Sequence, residues 1–304
     1  MRPFFLRILL LSTLLCTSLP VAAQAQEPTP SFDGKPEQHV IRPAGSSVLS
    51  FSNGYLSAPT QTARPFTHLL VRRVATVPDG ATITMYLRAS TDGASWSPWR
   101  EVRQSDDLWV PSDGPEVWWS DILTIGEVAR YWQVRADYTN SPSGGMPLLK
   151  QVEVNTVDTR LSPEQEAAQR TNVSGGPSIL GAEKPFVVSR TAWGSPDGQS
   201  SRAEPEYRPV THLIVHHTAD SGTLYASEAN WAARVRAYWT FHAITRGWGD
   251  IGYNYLIDPN GVIYEGRGGG DGAVGFHDTA NYGSMGVSII GTYTKAGPSQ
   301  ASQD

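Results

Sequence analysis

The chain is nearly devoid of cysteine. Cys16 is the only one among 304 residues, so no intramolecular disulfide can form and the fold must hold by packing alone. There is no basic excess either. The 24 Lys and Arg against 29 Asp and Glu give a formal net charge of -5, which offers no positive field to a nucleic-acid backbone. No internal repeat is evident, and long apolar runs are missing. The stretch 8–15 is apolar but shorter than the roughly 17–25 residues of a spanning helix. No membrane span is expected once this stretch is removed. Arg2 and Arg7 precede or open it, and Val21-Ala22-Ala23-Gln24-Ala25 follows with small residues at cleavage spacing. Residues 1–25 therefore read as a secretory signal peptide, which places the mature chain outside the cytoplasm. Leu15 precedes Cys16 where a lipoprotein signal would carry a small residue. Lipidation is not expected, and the mature chain would carry no thiol.

Turn formers are plentiful, with 29 Gly and 22 Pro, and the length suits two domains. Residues 26–38 are polar and Pro-rich and read as a flexible leader. Residues 39–158 read as an all-β sandwich: 67–74, 82–88, 130–138 and 148–154 are strand-like, and Asp92-Gly93 and Asp113-Gly114 mark turns. Trp96, Trp99, Trp109, Trp118, Trp119 and Trp132 fall in this region. The sandwich core would absorb such rings, and exposed ones would stack on sugar, so glycan contact by this domain is a second expectation. The stretch Ser90-Thr91-Asp92-Gly93-Ala94-Ser95-Trp96-Ser97-Pro98-Trp99 loosely resembles repeats in discoidin-like sandwich domains, which names no ligand. Residues 159–184 read as a linker. A short helix is expected after Ser162-Pro163, and Ser174-Gly175-Gly176-Pro177 breaks it.

From residue 185 strands mix with at least one helix, the pattern of an α/β or α+β domain. Residues 210–217 read as a buried strand with Leu213-Ile214-Val215 at its core. A helix follows, with Ser227 as N-cap, Gly247 as stop, and Trp231, Val235, Tyr238, Trp239 and His242 along one face. Residues 253–257, 262–264 and 285–290 read as strands, the first two joined by the turn Asp258-Pro259-Asn260-Gly261. His216 and His217 end the first strand. Alternation sends neighbouring side chains to opposite faces, so the two cannot chelate one ion together.

The order and spacing of six blocks carry further information. They are Ser189-Arg190-Thr191-Ala192-Trp193-Gly194, Leu213-Ile214-Val215-His216-His217-Thr218-Ala219, Arg246-Gly247-Trp248-Gly249-Asp250-Ile251-Gly252-Tyr253-Asn254-Tyr255-Leu256-Ile257, Tyr264-Glu265-Gly266-Arg267-Gly268, Gly275-Phe276-His277 and Ser284-Met285-Gly286-Val287-Ser288-Ile289-Ile290-Gly291. Over residues 186–293 the chain resembles the peptidoglycan recognition protein family. That family is similar to the zinc-dependent N-acetylmuramoyl-L-alanine amidases of the phage-lysozyme type. The resemblance implies an amidase-type domain over 185–304, with a mixed central sheet and flanking helices. Its ligand would be the muramyl peptide of peptidoglycan, in the cell wall. Carried over position by position, His216 is implied as a Zn2+ ligand and Tyr253 as the catalytic tyrosine. His242, Arg267, His277 and Asn281 are implied near the substrate groove. Asp250 and Trp248 read as a turn and a packing anchor.

The implied chemistry is hydrolysis of the amide joining the lactyl group of N-acetylmuramic acid to L-alanine. Zinc held by three protein ligands keeps a position open for water and brings its pKa to about 7. The family pattern places a histidine and then a cysteine further on. The sequence ends at Asp304, so the domain is expected to be incomplete, with the remaining zinc ligands downstream. The alternative is a peptidoglycan-binding protein without turnover. Gly269-Gly270 also departs from the family pattern, where an aromatic residue often bears on stem-peptide choice.

Overall fold

The computed structural model describes residues 29–43, 50–51, 53–105, 116–170, 185–219 and 228–304. The signal-peptide reading, Cys16, Trp109, the Asp113-Gly114 turn, the 174–177 break and the Ser227 cap lie outside the described residues.

The N-terminal region is all-β, as its alternation implies. Its strands are β1 Glu37–Ile41, β2 Ser50–Phe51, β3 Gly54–Leu56, β4 Thr60–Thr76, β5 Thr82–Ser90, β6 Arg100–Val102, β7 Val117–Trp119, β8 Leu123–Thr139 and β9 Leu148–Val157. Every pairing is antiparallel. Hydrogen bonding joins them into one sheet of order β1-β9-β4-β8-β3-β2, with β5 and β6 extending from β8 and β7 from β4. The 17-residue strands β4 and β8 make this continuity possible. The first half of β4 pairs with β8 and the second half with β9, and each pairing carries register shifts. Such irregularities bend a strand and let one sheet curl over its own core. That core holds Phe66, Leu69, Met85, Trp132, Val134 and Val152. Trp118 and Trp132 are buried, whereas Trp96, Trp99 and Trp119 are only partly so. Core packing thus accounts for some of the tryptophans and not for others.

Helix α1, Pro163–Arg170, starts where the sequence places it. The Gln165 amide N–H donates to Ser162 Oγ (3.2 Å), and the Ser162 N–H donates to Gln165 Oε1 (2.9 Å). This is a reciprocal cap with proline at the first helical position. The same Gln165 side chain also bonds both backbone groups of Phe32. The leader expectation is therefore corrected for residues 29–38. Phe32 is buried, Arg64 pairs with Asp33, and Glu37 and Gln38 already belong to β1. A proline-rich composition signals turns, but one buried aromatic side chain is enough to dock the segment.

The C-terminal region forms a five-stranded mixed sheet of order β10-β13-β12-β14-β11. The strands are β10 Val187–Val188, β11 His212–His217, β12 Tyr255–Ile257, β13 Ile263–Glu265 and β14 Ser284–Ile289. The β12–β13 pair is antiparallel, and Gly261 closes its turn at φ 83. The other pairings are parallel. Short helix α2, Arg190–Trp193, is capped by Ser189 and ends at left-handed Gly194. Helix α3, Glu228–Trp239, runs into a π-helical turn, Thr240–Thr245, that stops before Gly247 at φ 73. A last turn, α4, covers Gln300–Gln303. Among the described residues no helix is long and apolar enough to cross a membrane.

Two expectations change here. Helix α3 is covered on more than one face. Trp231, Val235, Tyr238 and Trp239 share a core with Leu70, Ile122 and Val157 of the N-terminal region and Tyr253, Leu256 and Tyr264 of the C-terminal region. Arg234 and Arg236 are buried with it. Arg234 donates to Thr124 Oγ1 (2.6 Å) and the Ile122 carbonyl (3.1 Å). Arg236 donates to the carbonyls of Thr159 (2.7 Å) and Trp193 (2.6 Å). The two regions are therefore bolted together by hydrogen-bonded guanidinium groups within a shared apolar core. Second, β11 is a sheet edge, and Leu213 and Val215 are 61% and 66% exposed. On that face Tyr293 reaches only the end of the strand, at His217, while Ile214 and His216 on the other face are half-buried.

Candidate functional site

The site lies at the C-terminal end of the β11–β14 parallel pair. Strand alternation turns His216 inward and His217 away. His217 Nδ1 accepts from the Tyr293 N–H at 2.9 Å. His216 Nε2 lies 3.0 Å from Nδ1 of His277. The Tyr253 ring is 5.4 Å from the His216 ring, centroid to centroid, and the His242 ring is 6.0 Å from that of Tyr253. His216, His277 and Tyr253 thus converge, with His242 behind the tyrosine.

Each ring is positioned by backbone chemistry nearby. His277 sits in a slot between two glycines. A Cβ on Gly275 or Gly286 would come well under 3.0 Å from the His277 ring, so only glycine leaves room at either position. The loop carrying His277 is shaped by Asn281, whose Oδ1 accepts from the N–H groups of His277 (2.8 Å) and Asp278 (3.0 Å). Burial, then the neighbouring His216, pushes the His277 imidazole down to about 4. His277 is therefore neutral at physiological pH, the form that can accept a proton or bind a cation.

Tyr253 stands just before β12 and is buried, and its carbonyl accepts from the Arg267 N–H at 2.8 Å. Asn254 pins the strand start: its Nδ2 donates to the Ala273 carbonyl and its Oδ1 accepts from the Gly286 N–H. His242 lies in the π-helical turn, a feature often found at functional sites. Its Nδ1 accepts from the Gly252 N–H at 3.4 Å, next to Tyr253. Burial, then Arg246 and Arg267, holds its imidazole at about 3. Between the two regions a cavity of about 30 Å³ backs onto Tyr253 and His242, with Ser120, Asp121 and Ile122 of the N-terminal region on its far wall. That is room for a water.

Arg267 is half-buried and donates to the Ile251 carbonyl at 3.1 Å; burial lowers its guanidinium pKa. Below it lies a residue to which sequence reasoning gave no role. Arg190 is fully buried and donates to Asp250 Oδ1 (3.0 Å), Asp197 Oδ1 (2.6 Å) and the carbonyls of Gly198 and Gly266. Asp250 in turn accepts from the N–H groups of Ile251 (2.8 Å) and Gly268 (2.9 Å). Asp250 is thus half of a buried ion pair that sets the two backbone stretches around Tyr253 and Arg267, rather than only a turn residue. Trp248 packs on the His242 and Phe276 rings. Left-handed backbone at Gly269 (φ 108) and Gly270 (φ 80) explains why glycine stands at both.

The metal expectation can be tested on the donors present. His216 and His277 offer two imidazole nitrogens in close approach. Among the described residues no group of three His, Cys, Asp or Glu is placed to hold a metal ion. The described residues therefore do not by themselves make the three-ligand set of a catalytic zinc.

Comparison with known proteins bears out the resemblance. Residues 206–304 match the family model Amidase_2, N-acetylmuramoyl-L-alanine amidase. The human N-acetylmuramoyl-L-alanine amidase is 33% identical over 164 residues, 52% of this chain and 27% of the human protein. Peptidoglycan-recognition protein SC2 of Drosophila simulans is 34% identical over 108 residues, 35% of this chain and 55% of that protein. Among solved structures, Drosophila peptidoglycan recognition protein SA aligns at 28% identity with a TM-score of 0.35, over 40% of this chain and 66% of the other. The chain spans between about a quarter and just over half of these two curated relatives.

Proposed function

We propose, from the premise that residues 206–304 are an amidase-type region, that the chain acts on peptidoglycan at its lactyl–L-alanine amide. The carrying observation is the convergence of His216, His277 and Tyr253 from three separate stretches. Amide hydrolysis needs a nucleophilic water and a donor where negative charge develops on the carbonyl oxygen. Tyr253 is assigned as that donor, through its phenol. His277, held at about 4, is a weak base, and it is assigned to the substrate groove beside His216. Arg267 and Asn281 lie on the loops that would meet the muramyl peptide, with Arg267 suited to a stem-peptide carboxylate. His242 is assigned to positioning Tyr253 through Gly252.

Zinc dependence belongs to the same proposal. His216 would be one of its ligands, and the bound metal would supply a water of lowered pKa. A second reading, supported by the similarity to peptidoglycan-recognition protein SC2, is a peptidoglycan-binding protein without turnover. Secretion and a cell-wall location rest on residues 1–25 and complete the proposal.

The test extends the chain through whatever its reading frame encodes after Asp304 and incubates it with purified muropeptides, following peptide release by mass spectrometry with added zinc and with a chelator. Turnover is expected, and Tyr253→Phe should lower it about 10²–10³-fold while retention on insoluble cell wall persists. An unchanged rate in that variant would sink the role of Tyr253. Turnover that survives chelation would remove zinc. Cell-wall retention with no turnover in the wild type would establish the binding-only reading.

A further inference from the structure

The N-terminal sheet carries a cavity of about 490 Å³ formed by the 90–100 loop and the start of β8. The volume falls within the range of small-ligand sites. Trp96, Pro98 and Ile125 supply apolar wall, and Thr91, Arg100 and Glu127 supply polar groups. Thr91 and Glu127 are exposed, and Arg100 is held by its bond to the Thr124 carbonyl at 2.8 Å.

The wall is rigid. Asp92 Oδ1 accepts from Ser90 Oγ and from the N–H groups of Ala94 and Ser95. Ser97 N–H donates to the Ala89 carbonyl, and Ser97 Oγ accepts from the Ala89 N–H. Arg88 stacks at 4.6 Å from both the Trp96 and Trp99 rings and donates twice to buried Gln133. The loop is therefore fixed before any ligand arrives, which lowers the entropy cost of binding.

The set of groups selects a ligand class. An indole and a proline ring offer a flat surface to the C–H face of a sugar. A carboxylate and a guanidinium offer planar, two-point hydrogen bonding to hydroxyl pairs. One charge of each sign cancels at the rim, so the cavity gives no net preference for an anion. We propose that this cavity binds a short stretch of neutral oligosaccharide, at a site separate from His216 and Tyr253. The inference does not rest on the amidase reading.

The test uses the full chain and a probe without any peptide, the tetramer of β-1,4-linked N-acetylglucosamine, titrated by calorimetry and tryptophan fluorescence. Saturable binding is expected. Trp96→Ala and, on the exposed rim, Glu127→Gln should each weaken it about tenfold or more, an effect of ~1.4 kcal/mol. His216→Ala and Tyr253→Phe should leave it unchanged. Absence of binding at millimolar probe would overturn the proposal. So would affinity insensitive to both Trp96→Ala and Glu127→Gln, or affinity lost in His216→Ala.

Discussion

Replacing Arg190 with methionine removes the buried cation while keeping most of its volume. In the folded protein this strands Asp250, which is fully buried, and leaves Asp197, the second partner at 2.6 Å, without its guanidinium. The carbonyls of Gly198 and Gly266 lose their donor as well. Breaking a buried pair by deleting one partner costs about 3–5 kcal/mol, chiefly because a buried charge is left uncompensated. The extra carbonyls put this site toward the upper end of that range. Urea denaturation followed by tryptophan fluorescence measures it. Arg190→Lys should recover only part of the loss, since an ammonium cannot reproduce the fork that reaches two carboxylates and three carbonyls. Asp250→Asn in the Arg190→Met background should be less damaging than the two single effects added, because the stranded charge has gone. Muropeptide turnover should fall with stability, since the Asp250 carboxylate that sets Ile251 and Gly268 beside Tyr253 and Arg267 loses the guanidinium that fixes it. An Arg190→Met protein within about 1 kcal/mol of wild type would refute the assignment of this ion pair as the anchor of the site.

Gly286→Ala should push the His277 ring from its slot and lengthen its 3.0 Å approach to His216. Loss of the coupled imidazole signals in NMR would show it, and unchanged signals would contradict the slot. Arg234→Met should uncouple the two regions by removing donors to Thr124 and Ile122. A single unfolding transition should then separate into two, or its midpoint should fall, and an identical transition would argue against the bolt. Stability should also decline in acid. His242 stays neutral in the folded state down to about 3, whereas its unfolded value is 6.5. Between those limits the unfolded chain holds the extra proton, so stability is intact above pH 6.5 and is lost as pH falls, by at most about 1.4 kcal/mol per pH unit from this group. Buried His68, lowered by burial and by Arg234 and Arg236, acts in the same direction. His242→Phe should flatten the slope between pH 6.5 and 5, and a slope equal to wild type would exclude the residue as its source.

Much of the site was legible because its signals are local. Opposite orientation of His216 and His217 follows from strand alternation, and the structure shows His217 bonded to Tyr293 on the far side. The β12–β13 turn, the stop at Gly247 and the start of α1 were written in turn and capping residues a few positions apart. Long-range facts were not legible. Nothing near Arg190 announces a partner 60 residues away, and nothing near His277 announces His216.

Taken alone, the sequence determined where chain direction changes, which stretches are strands or helices, and which residue types are available for amide chemistry, because those depend on backbone preferences over a few residues. Tertiary structure alone decided that α3 is enclosed by two sheets, that Leu213 and Val215 face outward on an edge strand, and that Phe32 docks into the shared core. It also decided which imidazoles meet. Burial and contact across the chain depend on strand order and register, and these emerge only when distant segments compete for the same apolar surface.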